Sequence, residues 1–255
     1  MGTQARTASR RTRDARAQAL QRTHRRHRYA AIAGGVIIVA LLATIGCVLV
    51  NATDDAPAAA PAPSSTAVPA GTTGTSAIVT GTASAPVTVT IFLDYLCPYC
   101  GRFERANSTE LERLVAAGTV RLELHPLAFL DKASSGTRYS TRTANAVATV
   151  ADQAPGTVLA FNTALFAQQP AEGSTGLTDQ QIAAVAVGAG VPADVAATFT
   201  ERRFEHWVGT STGSAFNRDG ITGTPTVKIN GTVFDGDLYS SGPLTTAITA
   251  AKGSS

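Results

Sequence analysis

Cys97-Pro98-Tyr99-Cys100 places two of the chain's three cysteines two residues apart, at the end of an apolar run and ahead of a helical pattern. Three chemistries use such a pair. As metal ligands the cysteines need partners, because a structural zinc site usually closes with four. From Ala77 onward the sequence offers only His125 and His206 and no second Cys-x-x-Cys, so no metal is expected. As a structural staple the pair closes a very short loop, and cross-link stabilisation grows with loop length. As a redox couple it gains from its setting. A cysteine at a helix start meets unpaired N–H groups and the positive end of the helix dipole, both of which favour thiolate. Redox chemistry is the favoured reading. Cys97 is then the exposed nucleophile at the helix start, and Cys100, one turn inside, is the shielded resolving thiol. Pro98 suits the first turn, where its missing N–H costs nothing.

The elements that must hold this pair can be read on either side of it. "VTVTIFL", residues 87–93, alternates and then turns wholly apolar, as a strand does on entering a buried sheet. "GRFERANSTELERLVAAG" has helical spacing through Phe103, Leu111, Leu114 and Val115 and stops at Gly118. "TVRLELHPLAFL" alternates again, which makes strand, helix, strand with the cysteines at the first strand-to-helix junction. From about residue 134 to 216 the strand signal disappears. "TANAVATVADQ" and "VLAFNTALFAQ" read as amphipathic helices, and Thr178 to Gln181 is a capping box. "PADVAATFTERRFEHWV" reads as one helix opened by Pro192 in its first turn. Strands return at "TPTVKING", whose Asn230-Gly231 signals a hairpin, and "PLTTAITAAK" makes a final helix.

The charge is segregated. Residues 1–28 hold nine arginines, two histidines and one acid, whereas from Ala77 onward 12 Lys+Arg face 15 Asp+Glu. The mildly acidic globular part argues against a nucleic-acid groove. Residues 29–50 carry no charge over 22 positions, a helix of about 33 Å and long enough to cross a bilayer core. The arginine block before it keeps residues 1–28 in the cytoplasm and exports the chain beyond Val50. An uncleaved single-pass anchor is favoured over a lipoprotein site ending at Cys47 and over a cleaved signal; all three export the domain. Residues 51–76, rich in Ala, Pro, Thr, Ser and Gly, read as a disordered linker. The exported domain then occupies residues 77–255.

"FLDYLCPYC", the helical insertion and "GITGTPTVKING", in that order, resemble the thioredoxin-fold DsbA family of thiol:disulfide oxidoreductases, particularly its membrane-anchored exported members. The resemblance covers roughly residues 78–251. It implies an α/β thioredoxin fold with a helical insertion at about 134–216. Pro225 corresponds to the family's cis-proline beside the active disulfide, with Thr224 before it as a backbone partner for an extended substrate segment. Many relatives place a buried acid six residues before the first cysteine, where this chain has Ile91. Asp94 is the nearest acid and a candidate proton relay, although a solvated surface role fits it better. Tyr99 stands where the best-known oxidases carry a histidine that stabilises the thiolate. The helix terminus is therefore expected to be the main stabiliser and the couple to be less oxidising than theirs.

Together these readings describe an exported, membrane-tethered thiol:disulfide oxidoreductase that introduces disulfides through Cys97 and Cys100. Its expected partners are exported protein thiols and a quinone-linked membrane protein of the DsbB or VKOR kind that reoxidises it. No cofactor and no nucleic acid are expected. The rival within the same chemistry is a thioredoxin-like reductase. The rival of another class is a chaperone-like binding module whose cysteine pair is idle.

Overall fold

The computed structural model describes residues 66–73 and 77–253. The expected basic tail, residues 1–28, and the apolar span, residues 29–50, lie outside them. No helix among the described residues is long and apolar enough to cross a membrane.

Strand β1 is Ile78–Thr80, β2 Val87–Leu93, β3 Val120–Pro126, β4 Thr226–Ile229 and β5 Thr232–Val233. Among the described residues they form one sheet in the order β1-β3-β2-β4-β5. The apolar run of β2 lies at its centre, parallel to β3 and antiparallel to β4. Every β2 residue except Thr88 is buried, which is why its alternation fades. Asn230 and Gly231 take φ of 48° and 83°, and this left-handed pair folds β4 back into β5 as the dipeptide signals.

One strand was not legible. β1 is only three residues long and pairs antiparallel with β3, Ile78 opposite Leu124. Residues 66–73, at the end of the expected linker, are held by backbone hydrogen bonds. Thr72 bridges Ile78, the Val79 N–H donates to the Gly71 carbonyl at 3.2 Å, and the Ala70 N–H donates to the Asp152 carboxylate at 2.9 Å. Small residues without a hydrophobic period dock here through their backbone, a mode that composition does not show.

Helix α1, Pro98–Ala116, connects β2 to β3 and buries Cys100, Phe103, Leu111 and Leu114 along one face. The insertion follows as α2 (Tyr139–Gln153), α3 (Val158–Ala167), α4 (Asp179–Gly188), α5 (Ala193–Ala197) and α6 (Glu205–Asn217), before α7 (Pro243–Lys252) returns to the sheet. Helix α2 is the insertion's core, with Ala144, Val147, Ala148 and Val150 fully covered. The capping box at Thr178 and Gln181 is formed at the start of α4.

The single helix expected after Pro192 is broken. Pro192 is the N-cap of a five-residue α5, not a first-turn residue, and Arg202 takes φ of 55° between a 3₁₀ turn and α6. Buried Asn145 causes the break by holding both sides of it. Its amide N–H donates to the Phe199 carbonyl at 3.1 Å and its oxygen accepts from the Phe204 N–H at 2.9 Å. Two bonds from one buried side chain outweigh the propensity for a continuous turn.

Candidate active site

The end of β2 and the start of α1 place the pair. Cys97 is the N-cap of α1 in an extended conformation, with Pro98 in the first turn and no side chain capping the helix. The Cys100 and Gly101 N–H groups both donate to the Cys97 carbonyl, at 3.0 and 3.2 Å. Both cysteines are free thiols. Cys97 is 6% exposed and Cys100 1%, so the expected openly exposed nucleophile is instead a nearly covered one. Its cover comes from the segment before β4. The Cys97 thiol donates to the Thr224 carbonyl at 3.3 Å, and the Thr224–Pro225 peptide bond is cis.

The two sulfurs are electrostatically unequal. The Cys97 thiol is lowered to about 6, chiefly because its thiolate accepts a hydrogen bond from the Cys100 thiol. Burial opposes this, and the Thr224 side chain and the Cys100 and Tyr99 N–H groups add to the lowering. On ionisation the Cys97 sulfur thus exchanges its donor bond to the Thr224 carbonyl for these acceptor bonds. Two of these donors, the Tyr99 and Cys100 N–H groups, belong to the helix start, as expected. Burial, then the bond to Cys97, pushes the Cys100 thiol well above the ordinary range.

Asp94 lies beneath the pair. It is 0% exposed, which overturns the solvated surface role. Its backbone N–H points at the Cys100 sulfur at 3.5 Å. Its carboxylate accepts from the Leu96 N–H at 2.8 Å, the Ser140 hydroxyl at 2.7 Å and the Leu130 N–H at 2.9 Å. Burial raises it to about 6 against the pull of these donors.

Two contributions escaped the sequence. Gln169, just beyond α3, donates its amide to the Cys97 carbonyl at 2.8 Å and the Tyr95 carbonyl at 3.1 Å. Gly101 makes room for it, since a Cβ there would stand 2.1 Å from the Gln169 side-chain oxygen. The glycine after the pair was the only trace of this contact. On the surface, Tyr99 is 54% exposed, and the Arg102 guanidinium lies 5.7 Å from its ring and 4.6 Å from that of Tyr239. His125, the remaining metal candidate near the sheet, stacks on Phe92 at 4.3 Å, and burial lowers it to about 4. No group of three potential ligands gathers among the described residues.

A nucleophilic thiol, a shielded partner thiol and a neighbouring cis-proline can exchange disulfides. The family profile described as Thioredoxin matches residues 72–247. The chain belongs to the thioredoxin family. Within it, the solved structure of MdbA, a thiol-disulfide oxidoreductase from Actinomyces oris, is 27% identical with a TM-score of 0.62, covering 72% of this chain and 89% of its own. The reduced disulfide oxidoreductase DsbG of Mycobacterium tuberculosis is 28% identical with a TM-score of 0.61, covering 69% and 88%. Reduced DsbA of the same organism is 26% identical with a TM-score of 0.57, covering 70% and 98%. This thioredoxin-family chain is accordingly a DsbA-like thiol-disulfide oxidoreductase. It is also 35% identical over 113 residues to the serine/threonine-protein kinase PknE of M. tuberculosis, spanning 43% of this chain and a fifth, 20%, of the kinase.

Proposed function

We propose that the protein is an exported, membrane-tethered oxidase that passes the Cys97–Cys100 disulfide to exported protein thiols. The observation that carries the direction is the Cys97 thiol lowered to about 6. A thiolate held in the reduced form makes the disulfide easier to reduce, which is what an oxidase needs. A substrate thiolate attacks Cys97, forming a mixed disulfide while Cys100 leaves as a thiolate. Asp94, whose N–H touches the Cys100 sulfur, relays the proton that Cys100 then takes. A second substrate thiolate releases the substrate disulfide and leaves Cys97 as the stabilised thiolate. The backbone of Thr224 before cis-Pro225 pairs with an extended substrate segment, laying its sulfur against Cys97.

The apolar residues 29–50 serve as the anchor, and a membrane protein of the DsbB or VKOR kind reoxidises the pair. The test is the reduction potential of the full-length protein against glutathione. A value near the roughly −120 mV of a strong oxidant supports the oxidase. A value near the roughly −270 mV of thioredoxin turns the same chemistry into a reductase.

A further inference from the structure

The described residues hold nine arginines, and seven of them have an acid within ion-pair distance. The two without such a partner among the described residues, Arg102 and Arg105, are exposed on α1 beside the cysteine pair. Helix stability does not call for them. They stand near the positive end of α1, which favours acids, and the first turn holds no acid. From Ala77 onward acids outnumber bases, so two unmatched cations at this spot run against the charge of the domain.

Both side chains reach back over the first turn. The Arg102 guanidinium lies 5.7 Å from the ring of Tyr99, which stands between the two cysteines, and 4.6 Å from that of Tyr239. The rings are 5.9 Å apart, and their faces hold the cation in place. A Cβ on Gly101 would stand 3.2 Å from Nη1 of Arg105. The loop carrying Tyr239 is itself tied to α1. Asn107 donates to the Leu238 carbonyl at 2.8 Å, and the Ser241 hydroxyl donates to the Ala106 carbonyl at 3.0 Å. Burial, then the charges of Cys100 and Cys97, raise the Tyr239 hydroxyl, so this ring lies close to both sulfurs. Asp237 feels Arg102 electrostatically but stands beyond ion-pair distance, and its carboxylate accepts from the Tyr239 N–H at 2.8 Å.

A guanidinium is planar and holds five N–H donors in a fixed fork. Ring contacts do not use up those donors, and no acid occupies them among the described residues. A carboxylate is the group that such a fork binds best. We propose that Arg102, held against Tyr99 and Tyr239 and backed by Arg105, selects substrate segments with an acidic residue within two positions of the reacting cysteine. The inference rests on thiol-disulfide exchange by this pair, in either direction. Arg102 stands about 6 Å along α1 from Pro98, and two residues of extended chain span about 7 Å. A carboxylate two positions from a sulfur engaged with Cys97 therefore reaches the fork. A lipid phosphate would suit the same cations, but Tyr99 belongs to the reacting loop, which puts the patch where a substrate chain must pass.

The experiment follows oxidation of two dithiol peptides by the oxidised full-length protein. The peptides differ only in Asp or Asn two positions from the first cysteine. The Asp-to-Asn ratio of kcat/KM in the native protein is divided by the same ratio in Arg102→Ala, which cancels the intrinsic reactivity of each peptide. This quotient should be about fivefold, the upper range for an exposed charge pair. Arg102→Lys should retain part of it, and Arg105→Ala should lose less than Arg102→Ala. The native ratio, taken relative to exchange with a neutral small disulfide, should fall as salt is raised. That measurement needs no variant, and a ratio indifferent to salt would overturn the selection. So would a quotient of one, with both peptides slowed alike, which is how a cation acting only on the Cys97 thiolate behaves. Equal ratios together with loss of binding to phosphatidylglycerol vesicles in Arg102→Ala would assign the patch to lipid instead. Oxidised protein that reacts with neither peptide would overturn both the selection and the exchange reading.

Discussion

The sheet with α1 and the helical insertion contribute to the same site in different ways. The first carries the proposed reacting groups, Cys97 and Cys100 at the start of α1 with Thr224 beside cis-Pro225 before β4. The insertion carries no reactive sulfur. It supplies polar groups packed around the pair: Ser140 from α2 on Asp94 and Gln169 on the Cys97 carbonyl. The chemistry resides in one region and its electrostatics are furnished by the other. Such a division lets the insertion change while the sulfur pair stays as it is.

The comparison breaks most visibly at the sulfurs themselves. Cys97→Ser should reduce thiol exchange to the uncatalysed rate while leaving the fold intact, measured as turnover with a disulfide-linked fluorescent peptide. Cys100→Ser should keep Cys97 reactive and accumulate mixed disulfides with exported proteins, visible on non-reducing gels. If Cys100→Ser captured nothing, the resolving role of Cys100 would fail.

A cut in the insertion should act on stability instead. Phe161, fully buried in α3, stacks at 5.9 Å on Phe199 of the 3₁₀ turn. Phe161→Ala should cost about 3–5 kcal/mol in urea unfolding. Were exchange in the folded variant lost as completely as in Cys97→Ser, the division between the two regions would be wrong.

The lowered Cys97 thiol sharpens the contrast through pH. Its folded value of about 6 lies below its ordinary value near 9. Its stabilisation of the reduced protein is therefore complete above the ordinary value and lost as pH falls through 6. Between those limits reduced protein should gain about 1.4 kcal/mol per pH unit relative to Cys97→Ser. Denaturant midpoints from pH 5 to 9 would show this, and alkylation of Cys97 should have its inflection near pH 6. A flat difference would remove the thiolate argument.

The smallest effect tests the insertion's reach into the site. Ser140→Ala removes one donor from Asp94 and should raise that carboxyl above about 6, by roughly one pH unit if the bond contributes about 1.4 kcal/mol. Carboxyl carbon shifts in NMR would report it, and an unchanged titration would show that α2 does not tune the acid.

The cysteine pair, the helix after it, the flanking strands and the Asn230-Gly231 turn were legible because each signal spans a few neighbouring residues. Periodicity, a proline in a first turn and a glycine in a hairpin act through local backbone geometry. The short β1, the docking of residues 66–73 and the break at Arg202 were not, because each depends on a partner distant in sequence. Asp94 shows the same limit from the other side. Its nearness to Cys97 was plain, but its burial beneath Ser140 and Leu130 was not, since those contacts join residues far apart in the chain.

The sequence alone thus determined that the pair would stand at a helix start, because residue type and spacing suffice for that. Tertiary structure decided which donors reach each sulfur and acid. It set the Cys100 thiol against Cys97, buried Asp94, and enclosed Glu104 between α1 and α3. Charge is governed by what surrounds it in a low-dielectric interior, and those surroundings exist only once distant segments have packed.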